Sequence, residues 1–167
     1  MSRLLFLIFL HMFCLSNPAS AQQSAQNPTP QDVKDIEQVM DAFHAAVVAH
    51  EGAKLATLFV PEGSAWFNVL TDSAYAGAKT KSDHAAKVRL SSFQNFATFV
   101  STTKDRLDPR HAQIQIHSDG TIASVYFDFV FMINDKPENS GCETWQLVKT
   151  AEGWKIAAIA YSSVTVH

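Results

Sequence analysis

Two periodicities divide the chain. Between Val33 and Val47 apolar residues return every three or four positions. Val33, Ile36, Met40, Phe43 and Val47, with Val39 beside them, place one apolar stripe on an α-helix. Thr29-Pro30-Gln31-Asp32 predicts the start of that helix. Thr29 can cap it, Pro30 fits the first helical position, and Asp32 puts an acid where the helix N-terminus favours one. Gly52 predicts the stop, and a short second helix over residues 53–60 ends at Pro61.

From Leu107 the period changes to two. Ala112, Ile114 and Ile116 fall on one face of a strand, and His111, Gln113, Gln115 and His117 on the other. Ser118-Asp119-Gly120 predicts a hairpin turn, since Asp-Gly accepts positive φ. In the next strand Ala123, Val125, Phe127, Phe129, Phe131 and Ile133 alternate with the mixed set Ile122, Ser124, Tyr126, Asp128, Val130 and Met132. A loop over 134–140 leads to a strand over 141–150, in which Trp145 and Leu147 share a face. Ala151-Glu152-Gly153 turns the chain into a last strand over 154–166. The parity of that strand is open. Strict alternation from Trp154 and Ile156 sends Ala160 and Ser162 inward; a bulge near Ala157-Ala158 sends Ile159 and Tyr161 inward instead.

Between the two patterned regions the signals are weaker. Residues 65–70 read as a strand, and 71–78 as a turn with an extended piece around Tyr75. Residues 79–90 are polar and charged and read as loop, with room for one helical turn. Ser91-Ser92-Phe93-Gln94 resembles a capping box, opening a helix whose apolar side carries Phe93, Phe96, Ala97, Phe99 and Val100. Helices first and a meander of strands afterwards give an α+β domain. The helix stripe needs an apolar surface to cover, and the phenylalanine face of residues 123–133 supplies it. The half-apolar reverse face calls for a second copy of the chain, hence a homodimer through the sheet.

The N-terminus adds an address. A positive Met1-Ser2-Arg3, an apolar run from Leu4 to Leu15 too short to span a bilayer, and Ala19-Ser20-Ala21 predict a signal peptide over 1–21, cut before Gln22. Localisation is then periplasmic or secreted, with no membrane association after cleavage. Residues 22–28 form a polar, flexible tether, and 29–167 a single domain. Cleavage removes Arg3 and leaves twelve basic side chains against sixteen acidic ones, a balance that argues against nucleic acid. Of two cysteines, Cys14 leaves with the signal, so Cys142 has no internal disulfide partner and no basic neighbour to activate it.

Several features together resemble the nuclear-transport-factor-2-like superfamily, also called the cystatin-like cone. They are the leading amphipathic helix, Leu58-Phe59-x-Pro61, Asp119-Gly120-Thr121-Ile122-Ala123, the aromatic alternating strand, Trp145-Gln146-Leu147-Val148 and Gly153-Trp154-Lys155-Ile156. More narrowly they are similar to exported bacterial SnoaL-like and lumazine-binding-type domains. The resemblance spans about residues 29–163. It implies N-terminal helices packed in the concave face of a strongly curved antiparallel sheet, an apolar pocket between that face and the first helix, and dimers through the sheet. It transfers no catalytic residue, because the acid/base positions of the family's isomerases and cyclases have no match here.

Candidate chemistry is sparse. His44 flanks the apolar stripe and could serve as an acid/base in the cone, or be a rim histidine. Glu143 shares parity with Trp145 and Leu147; an inward carboxylate there would have a raised pKa and could shuttle protons, unless it reaches water near the 134–140 loop. These two are the candidate catalytic residues. Trp66 and Tyr75, with polar tips near the expected mouth, lead the candidate ligand-lining set. Phe43, Phe96, Phe99, Phe129, Trp145 and Tyr161 complete it, although aromatic residues in such a cone pack on each other by default. Asp128 falls on the convex side. His111 and His117 lie about 20 Å apart on one strand, and His44 and His50 share no helix face, so no metal site is expected. No cofactor motif is present. The readings that result are a binder of a small apolar or aromatic molecule, a cofactor-independent lyase or isomerase, and a non-catalytic dimeric interaction module.

Overall fold

The computed structural model describes residues 28–165 apart from residue 63; the expected signal peptide and nearly all of the tether lie outside the described residues. The elements run α1 (Pro30–Val48), α2 (Gly52–Ala56), β1 (Ala65–Leu70), α3 (Asp72–Lys81), β2 (Val88–Ser91), α4 (Phe93–Thr102), β3 (Leu107–Ser118), β4 (Ile122–Ile133), β5 (Lys136–Thr150) and β6 (Gly153–Thr165). The strands form one sheet in the order β2-β1-β6-β5-β4-β3. β3 to β6 are the expected antiparallel meander. β1 joins β6 in parallel, so the sheet is mixed rather than wholly antiparallel. An isolated bridge between Phe59 and Ile156 already lays the chain alongside β6 in that direction before β1 begins.

α1 starts as the sequence predicts. Thr29 Oγ1 accepts from the Asp32 backbone N–H at 3.1 Å, and Asp32 Oδ2 accepts from the Thr29 N–H at 3.2 Å, closing a capping box. Lys149 Nζ donates to Asp32 Oδ1 at 2.8 Å and ties the cap to β5. The stripe of Ile36, Met40, Phe43 and Val47 is buried. It covers the face that alternation assigns to the interior of β4: Ala123, Val125, Phe127 and Phe129 are buried there, while Tyr126 and Asp128 are exposed. Each fully buried large side chain of this kind contributes roughly 1.5–3 kcal/mol.

Among its helices and turns the structure departs from the pattern at four places. α2 ends at Ala56, because the following residues leave the helix to bond β6: Val60 N–H donates to the Ile156 carbonyl at 3.0 Å and Ile156 N–H to the Leu58 carbonyl at 2.8 Å. Gly52 does not stop α1, where His50 takes the left-handed turn at φ 58°; it opens α2, pressed against the Ala97 carbonyl of α4. Residues 72–81 form α3 rather than a turn and loop. Thr71 Oγ1 caps that helix from 3.3 Å, Asp72 sits at its start, and Lys79 and Lys81 occupy its last turn. The expected 134–140 loop shrinks to a tight turn, since Asn134 and Asp135 both adopt positive φ (51° and 63°) and β5 begins directly afterwards.

Bulges then fix which side chains face inward. In β6, Gln146 pairs with Ala158 but Leu147 with Ile156, leaving Ala157 extra. Trp154 and Ile156 before that step, and Ile159 and Tyr161 after it, all face the concave side. In β3 the register shifts between Ala112 and Gln115, with Gln113 at φ 54°. The step reverses the expected parity of the first half of the strand: His111 turns inward with Ile116, and Ile114 is exposed.

Gly52 gives the clearest test of the packing. By helix propensity Gly52→Ala should gain up to about 1 kcal/mol, whereas contact with α4 should make it lose about 1–3 kcal/mol. Urea denaturation is expected to show the loss; a gain would mean that α2 and α4 are not in contact.

Candidate functional site

The concave face, α1 and α4 enclose a cavity of about 310 Å³. Strand register lays out its floor. Phe127, Glu143, Tyr161, Asn68 and Arg89 stand in one row across β4, β5, β6, β1 and β2. Two residues along, His111 of β3 stands beside Phe129 of β4. The walls are aromatic: Phe43 of α1 stacks on Phe96 of α4 with ring centroids 6.0 Å apart, and Phe96 meets Trp66 at 5.2 Å. Exposed Arg89, Ser91 and Glu138 stand at its edge, and a buried Ser163 hydroxyl donates to Asn139 Oδ1 at 2.9 Å in its wall. Two clefts elsewhere are larger, about 500 Å³ along α3 and about 530 Å³ beside Phe59 and Phe93. Neither brings acid, histidine and tyrosine together, so the smaller cavity is the candidate site.

Glu143 is its central acid. The Trp145 indole N–H donates to Glu143 Oε1 at 2.5 Å. Burial pushes the carboxyl up to about 7 from the ordinary 4.5, with the indole hydrogen bond opposing. The group is therefore shared between its acid and base forms at neutral pH, the condition for moving protons in either direction. Tyr161, its cross-strand neighbour, is raised by burial and by the Glu143 charge, while Asn68 and Arg89 counter the shift. His111 is driven the other way, down to about 4: burial disfavours its cation, His44 adds to the effect, and Asp41 opposes it. Its ring lies 4.6 Å from that of Phe127 and edge-on to Trp145 at 6.0 Å. His111 is therefore neutral at pH 7 and can donate or accept a hydrogen bond without carrying charge.

The candidates read from the sequence separate clearly. Glu143, Phe43, Trp66, Phe96, Phe129 and Tyr161 line the cavity. Trp145 lies behind it, fully buried, and reaches it through Glu143. His44 is not on the lining; its Nδ1 donates to the Pro109 carbonyl at 2.7 Å. Tyr75 belongs to α3 and Phe99 lies on the outer side of α4, both away from this cavity. His111, Asn68 and Arg89 are among the lining residues that sequence reasoning missed. The unmarked bulge hid His111, and most of β2, which brings in Arg89, lay in a stretch read as loop. Among the described residues no group of three or more His, Cys, Asp or Glu side chains is placed to hold a metal ion.

No protein-family model matches the chain, and no curated protein matches it. Solved structures do. A protein of unknown function from Mycobacterium tuberculosis superposes with a TM-score of 0.60 at 14% identity, over 81% of this chain and 78% of that one. An NTF2-like protein of unknown function from Shewanella baltica gives 0.57 at 15% identity, over 84% and 100%. A cystatin-like-fold protein of unknown function from Nostoc punctiforme gives 0.58 at 11% identity, over 83% and 96%. The fold is nuclear-transport-factor-2-like. At these identities the likeness is one of architecture, and the nuclear-transport-factor-2-like cone carries chemistry only through the residues each chain places inside it.

The two shifted groups set opposite pH dependences. Glu143, raised in the folded state, makes folding most favourable below about 4.5, an advantage lost as pH rises to about 7. His111, lowered, supports folding above 6.5 and loses that support as pH falls to about 4. Between these limits they largely cancel. Glu143→Gln should gain stability relative to the native chain as pH rises from 4.5 to 7, by up to about 1.4 kcal/mol per pH unit. His111→Gln should gain relative stability as pH falls from 6.5 to 4. Denaturation curves across that range that run parallel to the native chain for both variants would contradict these environments.

Proposed function

We propose that this protein binds a small, largely apolar molecule of aromatic size inside the cone, with Glu143 meeting its polar group. The observation that carries the reading is an unfilled cavity with aromatic walls into which the buried Glu143 carboxyl projects, its one hydrogen bond among the described residues coming from an indole N–H. Such a site buries a ligand's flat surface and leaves one convergent polar point to orient it. That the protein's own side chains leave this space open favours binding over a purely interacting module.

A second reading rests on the protonation states. Glu143 near neutrality, in one cavity with neutral His111 and the Tyr161 hydroxyl, suits proton transfer without a cofactor, as in a lyase or isomerase. In that case Glu143 moves the proton, and His111 and Tyr161 hydrogen-bond the oxygen where charge develops. We also propose that the protein is exported and works as a homodimer through the convex sheet face, where Ile122 and Tyr126 of β4 stand exposed.

Native mass spectrometry of protein taken from its own cells addresses these points together. The expected spectrum is a dimer carrying a retained small molecule. A bare monomer that also refuses small aromatic compounds in titrations would contradict the proposal. If a retained compound is turned over, Glu143→Gln should lower the rate by about 10²–10⁴-fold while still binding it; unchanged turnover would remove Glu143 from the chemistry.

A further inference from the structure

The side of the cavity formed by β1 and β2 carries a charge that no carboxylate among the described residues answers. Among the described residues, Arg106 pairs with Asp135 and Arg110 with Asp108, whereas Arg89 has no carboxylate within ion-pair distance. An unpaired arginine at a surface is ordinary by itself. What sets Arg89 apart is its place. It is paired in register with Asn68, which is paired in turn with Tyr161, and all three line the cavity.

Arg89 thus presents N–H donors that meet no carboxylate among the described residues at the edge of an aromatic chamber.

We propose that Arg89 grips the carboxylate of an aromatic acid whose ring lies among Trp66, Phe96 and Phe129. This rests on the ligand-binding reading of the cavity and names the class of ligand. A guanidinium fork matches the two oxygens of a carboxylate, and the match is strongest where one side of the pair is out of water. A monoanion fits better than a phosphate dianion, because Glu138 and Glu143 stand in the same lining and repel additional negative charge. The flat body of the ligand meets ring faces already arranged around the space, with Trp66 and Phe96 tilted at 56° to each other.

Calorimetric titration with cinnamate and with its neutral counterpart, cinnamyl alcohol, tests this. The native protein should bind cinnamate at least about tenfold more tightly than the alcohol. Arg89→Gln should erase that preference and leave the alcohol's affinity unchanged, while Arg110→Gln, the same charge change outside the cavity, should alter neither. A preference that survives Arg89→Gln, or native protein that binds both compounds equally, overturns the carboxylate assignment and leaves the cavity as a neutral binding site. Failure of the native protein to bind either compound overturns the assignment together with the ligand-binding reading beneath it.

Discussion

The indole of Trp145 links the first helix, the sheet and the candidate site. Its ring is fully buried, with Phe43 of the first helix 5.0 Å away and Phe127 of the neighbouring strand edge-on at 5.4 Å. It therefore takes part in the contact between helix and sheet. Its N–H cannot be left without an acceptor in such a place, and the acceptor it finds is the Glu143 carboxyl two residues earlier on the same face. A buried acid has the complementary need for a donor. Each residue thus relieves the cost of burying the other, and the acid stays inside the cone instead of turning to water.

From that pairing the electrical character of the interior follows. A carboxyl held among rings loses hydration and moves toward neutrality; a histidine in the same surroundings gives up its proton instead. The centre of the chamber therefore holds no cation and only the partial negative charge of Glu143, and the arginine stands at its edge, where water still reaches it. An interior of low polarity strengthens each hydrogen bond made inside it. This gives a small cavity the means to hold a ligand by few polar contacts.

Much of the scaffold was legible because it rests on local rules. The cap at Thr29 and Asp32, the stripe from Ile36 to Val47 and the alternation from Ala123 to Phe129 each follow from spacing, and each appears where spacing puts it. The third helix was not legible, because none of its residues is buried and no apolar stripe marks it; only its caps and end charges could have signalled it. The inward turn of His111 was hidden for another reason. A bulge reverses parity, and this one is built on Gln113 in the left-handed region, with no glycine to announce it. The bulge at Ala157 is equally unmarked, yet it decides that Tyr161 reaches the cavity. Side chains inside the cone thus depend on register steps set by tertiary packing, whereas the shell depends on periodicity. That is why the shell was read more fully than the site.

The account stands or falls on Glu143 lying in the cone against Trp145. The carbon-13 shift of its side-chain carboxyl, followed by NMR from acid to alkaline pH, reads that environment directly. A midpoint near 7 is the predicted result. A midpoint near the ordinary 4.5 would place the carboxyl in water and contradict the account.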